Sequence, residues 1–170
     1  SEGFEILALF QDNFQYISAA RSDLYETDDY NVEVQKQLSK NEGRGELVAQ
    51  FLYHYGKTLK VNENLFHELE KDPFLISQVT AWEREISNGV SVNPKPVGKG
   101  FEIRYSFSND KFGSTDEFSS KNVGFGLSYS LPVIVAILSS EPGSLILIEN
   151  PEAHLHPYAQ AKLAELMCLA

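Results

Sequence analysis

The sequence predicts an α/β protein, and three observations carry that reading. An alternating aromatic segment opens the first part of the chain, helical apolar patterns fill the middle, and four consecutive large apolar residues, Leu145-Ile146-Leu147-Ile148, lie between Pro142-Gly143-Ser144 and a carboxylate. The order is strand, helices, strand, glycine turn, helix, buried strand, helix, which is an α/β arrangement. With 170 residues, 42% of them hydrophobic, the chain has the size and composition of one ordinary globular domain.

Phe14-Gln15-Tyr16-Ile17-Ser18-Ala19 alternates at first and carries aromatic and β-branched residues, so it predicts a strand that leaves the core for the polar stretch 21–31. Within residues 32–55, Glu46-Leu47-Val48-Ala49-Gln50-Phe51-Leu52 repeats its apolar residues at three- and four-residue spacing after Gly43 and Gly45, the pattern of a helix with one buried face. Residues 64–69 predict a short helix. Asp72-Pro73 predicts the start of another, with Asp as cap and Pro in the first turn, where its missing N–H costs nothing. Phe74, Leu75, Val79, Trp82 and Ile86 form its apolar stripe, Glu83, Arg84 and Glu85 face outward, and Asn88-Gly89 ends it. Residues 91–100, with Pro94, Pro96, Gly98 and Gly100, predict a loop or irregular edge. Strict alternation in Phe101-Glu102-Ile103-Arg104-Tyr105-Ser106-Phe107 then predicts a half-buried strand, turned at Asn109-Asp110.

Asn122-Val123-Gly124-Phe125-Gly126-Leu127-Ser128 sets two glycines before an apolar helix over 131–138, with Pro132 in its first turn. Glycines let backbone N–H groups approach an anion, and a helix N-terminus adds partial positive charge, so a phosphate could dock there; the bland alternative is a tight turn and cap. No Lys follows Gly126, so this is not the GxxxxGK[ST] phosphate loop. Leu145-Ile146-Leu147-Ile148 suits a central parallel strand covered on both faces, and Glu149 ends it where α/β sheets bind ligands, placed to hold a metal ion. Pro157 predicts the next helix, with His156 or a neighbour as cap. His154 and His156 beside a glutamate invite a zinc reading, but zinc needs three or four protein ligands and no cysteine or other histidine lies nearby in sequence. His54 and His67 fall in helical segments as packed or solvated residues.

Fourteen Lys and Arg against 24 Asp and Glu give a net charge of −10, which repels phosphate backbones, so any DNA contact is expected through other regions. The longest apolar run, over 131–138, is far short of the ~20 residues that cross a bilayer. Cys168 stands alone and cannot make an internal disulfide; with no signal-like start before Phe4, a cytoplasmic protein with no membrane association is expected. The chain starts at Ser1 and stops at Ala170 within an apolar helical pattern, and it reads as a piece of a longer protein.

The glycine turn and the run over 145–157 together resemble the signature and Walker B blocks of ATP-binding-cassette-type ATPases. The string Glu149-Asn150-Pro151-Glu152-Ala153-His154-Leu155-His156-Pro157 resembles in particular bacterial ATPases related to the overcoming-lysogenization-defect nucleases. Phe14-Gln15-Tyr16-Ile17-Ser18-Ala19 followed by Arg21 is similar to their strand before the helical lobe. The resemblance implies a partial P-loop NTPase core truncated at both ends, a single partial ATPase domain. Its helical lobe would span about residues 20–90, and the signature loop, Walker B strand and following helix would occupy 100–170. Asn122, Gly124, Phe125, Gly126 and Ser128 would form the signature loop that caps the γ-phosphate of ATP held by the other subunit of a head-to-tail homodimer. Glu149 would hold Mg²⁺, Asn150 would stand at the general-base position, and His154, Leu155 and His156 would face the partner subunit and its nucleotide.

Two departures from the family pattern matter. The Asn150 amide has no usable basicity and can only orient water, so either Glu152 takes the base role or hydrolysis is slow. Glu in place of Asp at 149 keeps the charge and adds one methylene. The phosphate loop is expected upstream of Ser1 and the γ-phosphate-sensing histidine beyond Ala170, so this chain alone is not expected to bind ATP tightly. The function implied is Mg-ATP binding and hydrolysis in a nucleic-acid or phage-defence process. The alternatives are a degenerate, nucleotide-gated scaffold and a non-enzymatic interaction module.

Overall fold

The computed structural model describes residues 14–21, 25–26, 36–40, 42–109 and 113–170. Along the chain run β1 (Phe14–Ile17), β2 (Tyr25–Glu26), α1 (Val48–Tyr55), a 3₁₀ turn at Glu63–Leu65, α2 (Leu75–Arg84), β3 (Val90–Val97) and β4 (Gly100–Asn109). They are followed by β5 (Gly113–Ser114), β6 (Phe118–Ser119), a second 3₁₀ turn at Ser120–Asn122, α3 (Phe125–Leu138), β7 (Leu145–Ile148) and α4 (Pro157–Leu169). β1 and β7 form a parallel pair in register Phe14 to Leu145 through Ile17 to Ile148. The other strands are antiparallel around β4, which pairs with β2, β3, β5 and β6. The mixed α/β architecture is the class the sequence predicts.

The core is built around α3, whose residues 130–138 are all buried. It packs against α2, α4 and the β1–β7 pair, while α1 and α2 cover the antiparallel sheet. One apolar cluster, including Ile17, Leu52, Val79, Ile103, Leu131 and Leu163, joins the two layers. In β4, Ile103 and Tyr105 point into it and Phe101 and Phe107 pack at its edge, as the alternation required.

Several elements differ from their sequence reading. α3 starts at Phe125, so Pro132 lies in mid-helix and the Ser128 carbonyl loses its helical donor. An interior proline costs about 3 kcal/mol, and burial of the surrounding apolar run offsets it. Residues 64–69 make only the first 3₁₀ turn, because the Asn62 side chain takes the Asn64 amide and the backbone is extended again at Phe66. Phe74, not Asp72, caps α2; Asp72 anchors the turn from outside by accepting the Phe74 amide and the Ser77 hydroxyl.

Glu83 does not face outward: it is fully buried and accepts the Ser130 hydroxyl at 3.0 Å. The expected loop over 91–100 contributes to strand β3, which pairs only with β4 among the described residues and so tolerates Pro94 and Pro96 as an edge strand does. α1 buries all of residues 48–52 rather than one face. β7 is parallel as expected but not covered on both faces: Leu145 and Leu147 are 48% and 53% exposed, while Ile146 and Ile148 pack on the core. Most of the polar stretch 21–31, residues 32–35 and Asp110 lie outside the described residues.

Candidate functional site

The parallel register brings the carboxyl ends of β1 and β7 side by side, so residues 18–21 lie against Glu149. The Glu149 amide donates to the Ile17 carbonyl at 2.9 Å. Its carboxylate accepts the Tyr16 hydroxyl on one oxygen at 2.9 Å and the Ala19 amide on the other at 3.0 Å. These bonds, first from Ala19 and then from Tyr16, hold the Glu149 carboxyl below its usual range, so at neutral pH it is an ionised, oriented and exposed acceptor. The same bond to Glu149 raises the Tyr16 phenol above its ordinary value. Gly43, at φ +67°, makes room for this tyrosine: a Cβ there would lie 2.6 Å from the Tyr16 ring.

Behind the acidic end sits Arg21, 5% exposed. Its guanidinium donates to the Glu149 carbonyl at 2.6 Å and to the Asn150 carbonyl at 3.3 and 3.4 Å, and it stands 5.7 Å from the centre of the Tyr129 ring. Burial lowers its pKa from the ordinary value, yet a guanidinium stays charged at neutral pH. Asn150 has φ +43° and His154 φ +63°, left-handed conformations in which Asn and His are enriched over other side chains. The turn between them closes with the Ala153 amide on the Asn150 carbonyl, and the Leu155 amide donates to the Glu152 carbonyl. Glu152 is exposed, within electrostatic reach of Arg21.

The glycine turn lies across α3 from this end. Gly124 caps α3 with φ −62° and ψ 146°, a conformation open to any residue, and an added Cβ would meet nothing within 4 Å. Packing does not require that glycine, although glycine is a favoured N-cap residue. At Gly126 an added Cβ would come within 3.3 Å of the His154 carbonyl oxygen, so this glycine lets α3 dock on the turn that follows β7. Asn122, Gly124, Gly126, His154 and His156 share the lining of a cavity of about 430 Å³ whose apolar wall includes Phe107 and Phe118. Phe125, 70% exposed, stands beside the His154 ring at 5.6 Å, and His154 meets Tyr129 edge-on at 4.4 Å. His156 caps α4 through its ring nitrogen, which accepts the Ala159 amide, with Pro157 in the first turn as expected.

The residues singled out in the sequence thus fall into two groups, the cavity group with Phe125 at its edge and the acidic group of Glu149, Asn150 and Glu152. Ser128 joins neither, since its hydroxyl turns inward to the Ser120 carbonyl at 3.4 Å. Tyr16, Ala19, Arg21 and Tyr129 were missed as site residues, although Tyr16, Ala19 and Arg21 belong to the segment that carried the resemblance.

A Gly-Lys-Thr triplet, Gly56-Lys57-Thr58, also occurs, but Gly56 closes α1 by donating to the Leu52 carbonyl, and Phe51 stands where a phosphate loop needs its first glycine. It follows a helix instead of a strand. Among the described residues no three His, Cys, Asp or Glu gather to hold a metal by themselves. Mg²⁺ needs only one or two carboxylates when phosphates and waters complete its shell, and the lone oriented carboxylate of Glu149 fits that role. No helix among the described residues is long and apolar enough to cross a membrane.

The sequence model of the family described as "AAA domain, putative AbiEii toxin, Type IV TA system" matches residues 7–170. No curated protein and no solved structure matches the chain.

Proposed function

The chain belongs to that AAA-domain family of ATPase-type nucleotide-binding modules, and from this premise we propose that it supplies the signature and metal-holding half of a Mg-ATP site. The observation that carries the proposal is the Glu149 carboxylate, ionised and fixed by Tyr16 and Ala19 at the carboxyl end of a parallel strand pair. Glu149 would hold Mg²⁺ directly or through water, and the cation would supply charge neutralisation to the phosphates. The bare Gly124 turn at the start of α3 offers backbone amides and no Cβ to a phosphate held by a second copy in a head-to-tail homodimer. Asn150 orients the attacking water and Glu152 accepts its proton.

In this reading the intact protein is a cytoplasmic ATPase acting in a nucleic-acid, phage-defence or toxin–antitoxin process, the last suggested by the family's description. The acidic charge of −10 assigns any DNA contact to other regions. The second reading, a nucleotide-gated scaffold that dimerises without turnover, is favoured by the Asn150 amide, which cannot act as a base.

Steady-state kinetics of the intact protein separate these. Glu149→Gln should abolish Mg²⁺-dependent ATP hydrolysis, and unchanged turnover would refute the metal assignment. Glu152→Gln should lower kcat by roughly 10²–10⁴, the usual worth of a general base. ATP-dependent dimerisation with no hydrolysis in the wild type would select the scaffold.

A further inference from the structure

Arg21 is a buried cation whose three hydrogen bonds among the described residues all go to backbone carbonyls, those of Glu149 and Asn150. Its Nε atom has no partner among the described residues. The guanidinium also stands over the ring of Tyr129, which belongs to the first two turns of α3. Tyr129 touches His154, and His154 touches Phe125 beside Gly124. An unbroken run of contacts therefore leads from the glycine turn to the two carbonyls that set the direction of the acidic strand end.

The chemistry suits a link that transmits position. A guanidinium is a rigid planar fork that can hold two neighbouring carbonyls at once and still stack on a ring, whereas an ammonium is a point charge that cannot do both. The ring of Tyr129 adds an electron-rich surface to the attraction that Glu152 and Glu149 exert on this buried charge. Asn150, at φ +43°, offers its carbonyl to the Ala153 amide within the turn and to Arg21 from outside it. Arg21 in turn stands against Tyr129 of α3.

We propose that Arg21 and Tyr129 are positioning residues that couple the Gly124 turn to the Glu149–Asn150 turn, so that a displacement at one is felt at the other. Its consequence for turnover rests on the ATP reading above. In a head-to-tail dimer the glycine turn and Glu149 of one subunit serve different nucleotides, and this link joins the two sites. The coupling itself is a property of the chain without nucleotide.

Hydrogen–deuterium exchange of residues 150–155 in the nucleotide-free intact protein tests it. Tyr129→Leu should speed that exchange roughly tenfold, within the range a cation–π contact supports, whereas Tyr129→Phe, which keeps the ring face, should not. In an Arg21→Lys background, Tyr129→Leu should add nothing further. Unchanged exchange in Tyr129→Leu, an equal rise in Tyr129→Phe, or a full further rise in the Arg21→Lys background would each overturn the coupling. If Arg21→Lys does not fold, the contrast between Leu and Phe at 129 decides alone. Failure of the ATP reading shows elsewhere, as normal turnover by Glu149→Gln, and leaves the exchange result standing.

Discussion

At Gly126 a Cβ would crowd the His154 carbonyl at 3.3 Å, whereas Gly124 faces open space in an ordinary backbone conformation. That contrast separates structure from function two residues apart. Gly126→Ala should leave Tm in calorimetry no higher than the wild type, because crowding of the His154 carbonyl offsets the ~1 kcal/mol that alanine gains over glycine in a helix; a clear rise in Tm would show that the contact does not constrain this position. Gly124→Ala should leave Tm unchanged or slightly raised yet depress ATP turnover of the intact protein; full activity would show that nothing approaches the bare glycine. Glu149 was legible because a carboxylate after four apolar residues is a local pattern. Its partners were not: Tyr16 and Ala19 lie more than a hundred positions upstream, and only the parallel register of β1 and β7 brings them to it.

Helix α2 shows how a correct periodicity still misplaces a charge. Leu75, Val79 and Trp82 are buried as their spacing predicts, but α3 lies across the flank that carries Glu83, so this carboxyl is enclosed with one oxygen on the Ser130 hydroxyl and the other unpartnered. Nothing local in Ala81-Trp82-Glu83-Arg84 signals that second helix. Burial pushes the Glu83 carboxyl well above its ordinary value, against the smaller lowering by Ser130. A folded pKa above the unfolded one means that this group's contribution is fully present below the unfolded pKa and is lost as pH rises through the folded one. Glu83→Gln, which cannot ionise, should therefore flatten the decline of Tm with rising pH and raise Tm relative to the wild type at neutral to alkaline pH. Parallel Tm–pH curves for the two proteins would sink this account. Element limits were misread for the same reason: α3 runs through Pro132 and β3 through Pro94 and Pro96, where burial and an edge position override the local breaking tendency.

Across the whole molecule, the alternation of helix and strand was readable from apolar spacing, and the α/β class followed from it. The division into a parallel pair and an antiparallel sheet was not, because pairing partners such as β1 and β7 are set by contacts between distant segments that periodicity does not encode. The parallel joint also has a practical consequence. The Tyr16 phenol bonded to Glu149 is an indicator dye built into the strand end proposed to hold the metal. A cation that takes the carboxylate frees the phenol, whose pKa, raised by that bond, then falls towards its ordinary value. At a fixed alkaline pH, tyrosinate absorbance of the intact protein should rise as Mg²⁺ is added together with ATP, and Tyr16→Phe should erase the rise; a wild-type spectrum indifferent to Mg-ATP would mean that the cation never reaches Glu149. Occupancy of this strand end can thus be titrated by eye of a spectrophotometer in unlabelled protein.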